Sequence, residues 1–308
     1  MRIGIGVGEL GNQPATVDAV VEQVRAAERD GFASAWFANI FGLDAMTACA
    51  IAGRETERIE LGTGVVPTYP RHPVAMAQQA LSTSAACRGR FTLGIGLSHQ
   101  IVIESMLGLS FAKPYSHMKE YLAVLGPLLR EGQVSHAGEE FRVQAGVKVA
   151  GASAPPVLVA ALAPKMLALA GREAAGTITW MTGSRTLAEH TVPRIREAAA
   201  AAGRPEPRIV CGLPVAVTDD PAAARARAAE VFVVYGSLPS YRAMLDREGA
   251  AGPADVAIVG DESAVGEQIE RLGEAGVTDF LGAIFPVGDD PRGSVARTRE
   301  LLARLANT

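Results

Sequence analysis

Eight short apolar segments recur along the chain, at 2–7, 33–37, 59–66, 91–95, 156–161, 176–180, 208–217 and 277–285, and nearly every one is followed by a stretch of helical periodicity. Apolar runs of this length without polar alternation read as strands covered on both faces, and strands that alternate with helices pair in parallel. Eight such units predict a closed (β/α)8 TIM barrel rather than an open sheet. A barrel of this kind needs about 250 residues, so the 308 residues read as a single domain, 1–308, with insertions after strands 4 and 7. The longer connections are 96–114 together with 132–154, and 235–260. Residues 132–154 mix Gly, Ser, Val and Glu and predict a small hairpin, 133–136 against 140–143.

The helical segments are 16–29, 43–53, 73–86, 115–129, 165–172, 185–202, 221–234, 261–275 and 294–305, with a short one at 241–247. Thr16 stands where an N-cap belongs, and Pro73 opens its helix, where a missing N–H costs nothing. A net charge of −4 with no basic run argues against a nucleic-acid surface. No apolar run approaches the roughly 18 residues of a membrane span. The N-terminus enters a strand directly, without a signal-peptide layout. Cys49, Cys87 and Cys211 are far apart, as core thiols of a reducing compartment would be. These features predict a cytoplasmic protein.

The most specific stretch is 59–99, IELGTGVVPTYPRHPVAMAQQALSTSAACRGRFTLGIGLSH. Both of its strands end in small or special residues, Gly64-Val65-Val66-Pro67 and Gly94-Ile95-Gly96-Leu97-Ser98-His99, and C-terminal strand ends form the ligand face of a parallel barrel. The spacing G-x-G-V-V-P-x-Y-P-R-H-P followed by G-R-F-x-L-G-I-G resembles the bacterial luciferase-like superfamily, nearest its coenzyme F420 branch. The resemblance implies a β-bulge with a non-prolyl cis peptide at Gly64–Val65, backing the face of a deazaflavin ring. It also implies that the cofactor phosphate lies against the turn Ala161-Leu162-Ala163, within P-P-x-x-x-A-A-x-x-P-K-M, and against the next strand end. An uncapped helix N-terminus suits such a phosphate on physical grounds as well. The common barrel phosphate site after strands 7 and 8 is therefore not the one expected here. A homodimer is the family's habit.

Further candidates lie at the other strand ends. Gly6-Val7-Gly8-Glu9-Leu10-Gly11 satisfies G-x-G-x-x-G, but Asn12, Gln13 and Pro14 delay the helix and the second strand ends without an acid, so a dinucleotide site is disfavoured. Glu9 then faces the barrel mouth or solvent. Many F420-dependent relatives carry a His where this chain has Asn39, so that His's acid/base role does not transfer; the amide can only hydrogen-bond. Ser98 would bond the ring edge, and His99 is suited to moving a proton near neutral pH. Trp180 would wall the substrate pocket, with Thr182 near the phosphate. Arg71-His72 reads either as an anchor for an anionic tail or as a brace for its loop. No metal-ligand spacing, Walker motif or serine-hydrolase elbow occurs.

The reading is an F420-dependent oxidoreductase that moves a hydride between deazaflavin and a small organic substrate. Its cofactor contacts would be Asn39, Gly64, Val65, Val66, Ser98, Ala161, Leu162, Ala163, Trp180 and Thr182, with His99 or Glu9 handling a proton. Two alternatives stand beside it: an FMN-dependent monooxygenase of the same superfamily, and a cofactor-binding protein without turnover.

Overall fold

The computed structural model describes residues 1–8 and 15–308. In chain order it forms β1 (Arg2–Val7), β2 (Ser34–Phe37), β3 (Glu60–Thr63), β4 (Val66–Pro67), β5 (Phe91–Gly96), β6 (Gln133–Ala137), β7 (Arg142–Gly146), β8 (Val157–Val159), β9 (Gly176–Trp180), β10 (Arg208–Val217), β11 (Ile258–Gly260) and β12 (Asp279–Ile284). Eight of these pair in parallel in the order β1-β2-β3-β5-β8-β9-β10-β12, and β12 returns to β1. The sheet therefore closes into the expected (β/α)8 barrel. β6 and β7 form the separate antiparallel hairpin, with His136 opposite Val143.

The strand expected at 59–66 is two. β3 stops at Thr63, the Gly64–Val65 peptide is cis, and β4 continues against the end of β5, with Val66 opposite Ile95. The helix expected at 221–234 ends at Val231. The 235–260 connection holds more order than its composition shows: helices Val233–Ser237 and Pro239–Glu248, a 3-10 turn at Pro253–Val256, and β11 added outside the end of β10. A π-helical turn, Ile101–Met106, follows β5. Helix Val17–Arg29 starts on Thr16, whose hydroxyl accepts from the Ala19 N–H at 3.2 Å. No helix among the described residues is long and apolar enough to cross a membrane.

The inside of the barrel is layered. At the N-terminal end Arg208 donates to Asp279 at 2.6 and 3.0 Å and to Glu60 at 2.6 Å, and Thr92 donates to Glu60 at 2.5 Å. Burial works against ionised Glu60, but Arg208 and Thr92 outweigh it and hold its carboxyl below the ordinary range. Above this plug lies Trp36, capped by the Arg208 guanidinium at 5.5 Å and donating to the Ser34 hydroxyl at 2.8 Å. Gly62 on the next strand makes room for it, since a Cβ there would stand 2.4 Å from the indole. Leu158, Ile178, Val210 and Leu281 complete the apolar layer over the indole, with Val65 and Ala160 partly exposed on top.

Two outcomes follow from this packing. Arg208→Met leaves Glu60 and Asp279 with only the half-exposed Arg2 as counter-charge and should cost about 3 kcal/mol, read from urea denaturation. Outside the barrel, His117 lies stacked on Tyr69 with ring centroids 4.0 Å apart, and burial lowers its pKa to about 4. The unfolded chain therefore takes up a proton near 6.5 that the fold refuses, so this contribution is complete above pH 6.5 and is lost as pH falls towards 4. The drop in denaturation midpoint between pH 7 and pH 5 should shrink in His117→Phe.

Candidate active site

The C-terminal strand ends meet in a shallow mouth whose floor is the Gly64–Val65 ledge. A Cβ on Gly64 would stand 3.2 Å from Ile178 Cδ1 and 3.8 Å from Leu281 Cδ1, so this backbone lies directly on the barrel's apolar layer. Gly96 serves the ledge from the neighbouring strand: a Cβ there would meet Val65 Cγ2 at 2.6 Å and Ala160 at 3.2 Å. Val65 and Ala160 remain partly exposed above Leu158 and Ile178. The result is a low, apolar surface against which a flat group can lie, built because three adjacent positions carry little or no side chain.

Two strand ends flank this floor in left-handed backbone that non-glycine residues rarely adopt: Ser98 at φ +61° after β5, and Met181 at φ +53° after β9. Such conformations persist where the surroundings impose them, and they concentrate at ligand sites. Next to Ser98, His99 is half-buried, and burial lowers its pKa, keeping the imidazole neutral at pH 7. Its ring lies 5.5 Å from Tyr241 of helix Pro239–Glu248. Tyr241 in turn packs on Tyr235 at 5.2 Å, and Tyr235 on Trp180 at 5.8 Å. An aromatic wall thus runs from the fourth barrel strand to the sixth, and half of it comes from the 235–260 connection, where the sequence predicts only a short helix at 241–247.

The turn after β8 is open in the way an anion needs. Helix Pro164–Glu173 begins after Ala163 with no side-chain cap, and Lys165 in its first turn is exposed. The turn is held from behind by His190, whose Nε2 is 2.8 Å from the Leu162 carbonyl, while Arg194 Nε donates to Nδ1 at 3.1 Å. Accepting at Nδ1 leaves the proton on Nε2, so the imidazole is a neutral donor to Leu162; burial, the leading cause, lowers its pKa accordingly. His190 was not singled out from sequence, because nothing in LAEHT marks a residue 28 positions from its partner.

The helical start after β9 is different. There the Glu248 carboxylate accepts from the Arg185 and Thr186 N–H groups at 3.2 and 2.7 Å, and a Cβ on Gly183 would strike it. That N-terminus already holds an anion of the chain's own. Between the ends of β10 and β12 lies a cleft of about 410 Å³ lined by Asp219, Asp220, Asp290 and Arg297. Arg297 is paired with Glu262 and Asp219, so the carboxylates make this cleft unsuited to phosphate.

The remaining candidates are placed as follows. Asn39 Oδ1 accepts from the Ala45 N–H at 3.0 Å, so half of its amide serves the start of helix Ala45–Arg54. Val66, Ala161 and Thr182 are buried, and the Thr182 hydroxyl donates to the Trp180 carbonyl at 3.2 Å; what these three present to the mouth is main chain. Glu9 lies outside the described residues. Arg71 braces its loop: it pairs with Asp44, and Tyr121 donates to its carbonyl at 2.9 Å. His72 caps helix Pro73–Ala86, its Nδ1 accepting from Val74 at 3.3 Å. Among the described residues no group of three potential metal ligands comes together.

Residues 3–306 match the family model of the luciferase-like monooxygenases, and the chain belongs to that family. A putative coenzyme F420-dependent oxidoreductase of Mycobacterium tuberculosis is 37% identical over 144 residues, a match that takes in 46% of this chain and 41% of that protein. The coenzyme F420-dependent tetrahydromethanopterin reductase of Methanopyrus kandleri superposes with a TM-score of 0.80 at 24% identity, covering 99% of this chain and 98% of the other. The oxygenating constituent of 3,6-diketocamphane monooxygenase from Pseudomonas putida, solved with FMN, gives a TM-score of 0.78 at 20% identity and covers 99% and 97%. The fold is thus common to deazaflavin and flavin proteins.

The role of His190 is checked by its variants. His190→Phe should loosen the Leu162 turn and lower affinity for an anion bound there by about tenfold, the worth of one buried hydrogen bond. His190→Gln, which keeps a donor, should recover part of the loss in the same phosphate titration.

Proposed function

We propose that the chain is an F420-dependent oxidoreductase, moving a hydride between the deazaflavin and a small organic substrate. The observation that carries this reading is the ledge: bare backbone at Gly64, seated on Ile178 and Leu281, with an uncapped helix N-terminus beside it at Ala163. A planar ring with a phosphate tail fits that pair. Gly64, Val65 and Ala160 would carry the ring, Ser98 and the free half of the Asn39 amide would bond its edge, and the Ala161–Ala163 turn with Lys165 would hold the phosphate. The bound cofactor supplies the hydride chemistry. His99, neutral through burial, would take the proton from a substrate hydroxyl, or return it in the opposite direction, at a ring nitrogen. The match to an F420-dependent oxidoreductase over nearly half of the chain supports the deazaflavin over FMN.

The two tryptophans sit at the site, Trp36 beneath the floor and Trp180 in the wall, so their fluorescence reports occupancy. Titration with F420 and with FMN should show tighter binding of F420; the reverse order would establish the flavin monooxygenase reading. If F420 binds yet no enone, imine, alcohol or sugar phosphate alters its absorbance, the protein is a carrier without turnover.

Gly64→Val adds two methyl groups against Ile178 Cδ1 and Leu281 Cδ1 and so pushes the ledge up toward the ring's space. It should weaken cofactor binding by at least about 2 kcal/mol, roughly 30-fold, and weaken folding by less, because Ile178 Cδ1 can shift. Equal losses would make the glycine purely structural. In the direction that oxidises a hydroxyl, His99 must be unprotonated, so kcat/KM should fall on the acid side only below pH 6.5, and His99→Asn should remove that limb with a loss of about 10²–10⁴ in kcat.

A further inference from the structure

We infer that the substrate of this site is an uncharged, largely apolar molecule that enters across an aliphatic rim and lies against the aromatic wall, an inference that takes the mouth to be the substrate site of the function proposed above. Large apolar side chains exposed on this protein concentrate on the loops that leave the C-terminal strand ends. Phe41 (62% exposed) follows β2, Ile101 (61%) and Met106 (60%) follow β5, and Val233 (65%) and Val234 (53%) open the helix Val233–Ser237, beyond β10 and its helix Pro221–Val231. Exposed apolar clusters of this kind mark binding sites.

The rim is continuous with the inner wall. Ile101 lies two residues beyond His99, and Val234 immediately precedes Tyr235. The contact of His99 with Tyr241, and of Tyr235 with Trp180, joins the two loops over the floor. From outside to inside, an entering molecule meets aliphatic carbon, then aromatic faces, then Val65 and Ala160.

Charge agrees with this. The cations on the flanking loops are engaged: Arg71 with Asp44, Lys113 with Glu139, and Arg185 with the Arg247 carbonyl. Glu104 stands among the rim residues, bonded to Gln100 and to the Phe111 N–H, and it repels an anion. Among the described residues, these cations of the flanking loops each already have an acceptor, which disfavours a sugar phosphate on this side of the mouth. The uncapped helix start at Ala163–Lys165 would be occupied by the cofactor phosphate.

Calorimetric titration of the chain, alone and loaded with F420, with 2-butanone, 2-octanone, 2-decanone and glucose 6-phosphate tests the inference. Full burial of one methylene is worth about a fourfold gain, so 2-decanone should bind at least about 30-fold more tightly than 2-butanone, and glucose 6-phosphate should bind more weakly than either long ketone. Ile101→Glu and Val233→Glu change exposed positions and leave packing intact; each should reduce the ratio of 2-decanone to 2-butanone affinity by about tenfold. A flat ketone series, or preference for the phosphate ester, overturns the inference. So does a change in sedimentation of the rim variants with ketone affinity unaltered, because the rim would then be a contact between copies. If F420 fails to bind while the ketone slope persists, the cofactor reading falls and the pocket chemistry stands.

Discussion

Trp36 sets the depth of the site. A closed eight-stranded barrel encloses a fixed, narrow interior, and one indole takes up much of it because the neighbouring strand yields a glycine at 62. With the indole held by Ser34 below and covered by Leu158, Ile178, Val210 and Leu281 above, the space left begins only at the strand ends. A ligand of this barrel therefore lies on its top layer and cannot enter it. The Gly64–Val65 ledge follows from that constraint: the layer beneath is complete, so a flat group needs backbone, without a side chain, at its own level.

The polar groups are divided between the two ends for the same reason. Charges buried in the barrel must be matched, and at the N-terminal end Arg208, with Arg2 at the edge, matches Glu60 and Asp279. At the mouth the useful charge is the partial positive end of each helix. Of two such ends side by side, one is closed by Glu248 and the other is left open behind His190.

Much of the barrel was legible because period and punctuation act locally. Alternating apolar runs and helical stretches, Thr16 and Pro73 at helix starts, and Gly-rich strand ends each report their own surroundings. The cis bond at Gly64–Val65 came through resemblance, since a glycine alone does not announce it. What stayed hidden depends on partners distant in sequence. Nothing local shows that the Asn39 oxygen accepts from the Ala45 N–H, or that the Thr182 hydroxyl donates to the Trp180 carbonyl. The segment 235–260 lacks strong periodicity because its short helices bury at most two residues each, Met244 and Leu245 in one of them and none in Val233–Ser237, and are held through Glu248 and Arg185 at a distance. Its aromatic residues gain their meaning only when folded over Trp180.

One helical run joins the two halves of the candidate site. Its first turn, Ser184–Thr186, donates to Glu248 and so fixes the end of the segment that carries Tyr235 and Tyr241. One turn later, in Leu187–Thr191, His190 grips Leu162 at the open anion turn. The aromatic wall and the phosphate turn are therefore attached to the same rigid element, through hydrogen bonds that are individually modest but leave neither part free to move alone. A group bound at Ala163 and a molecule packed on Tyr241 would each bear on the position of that run.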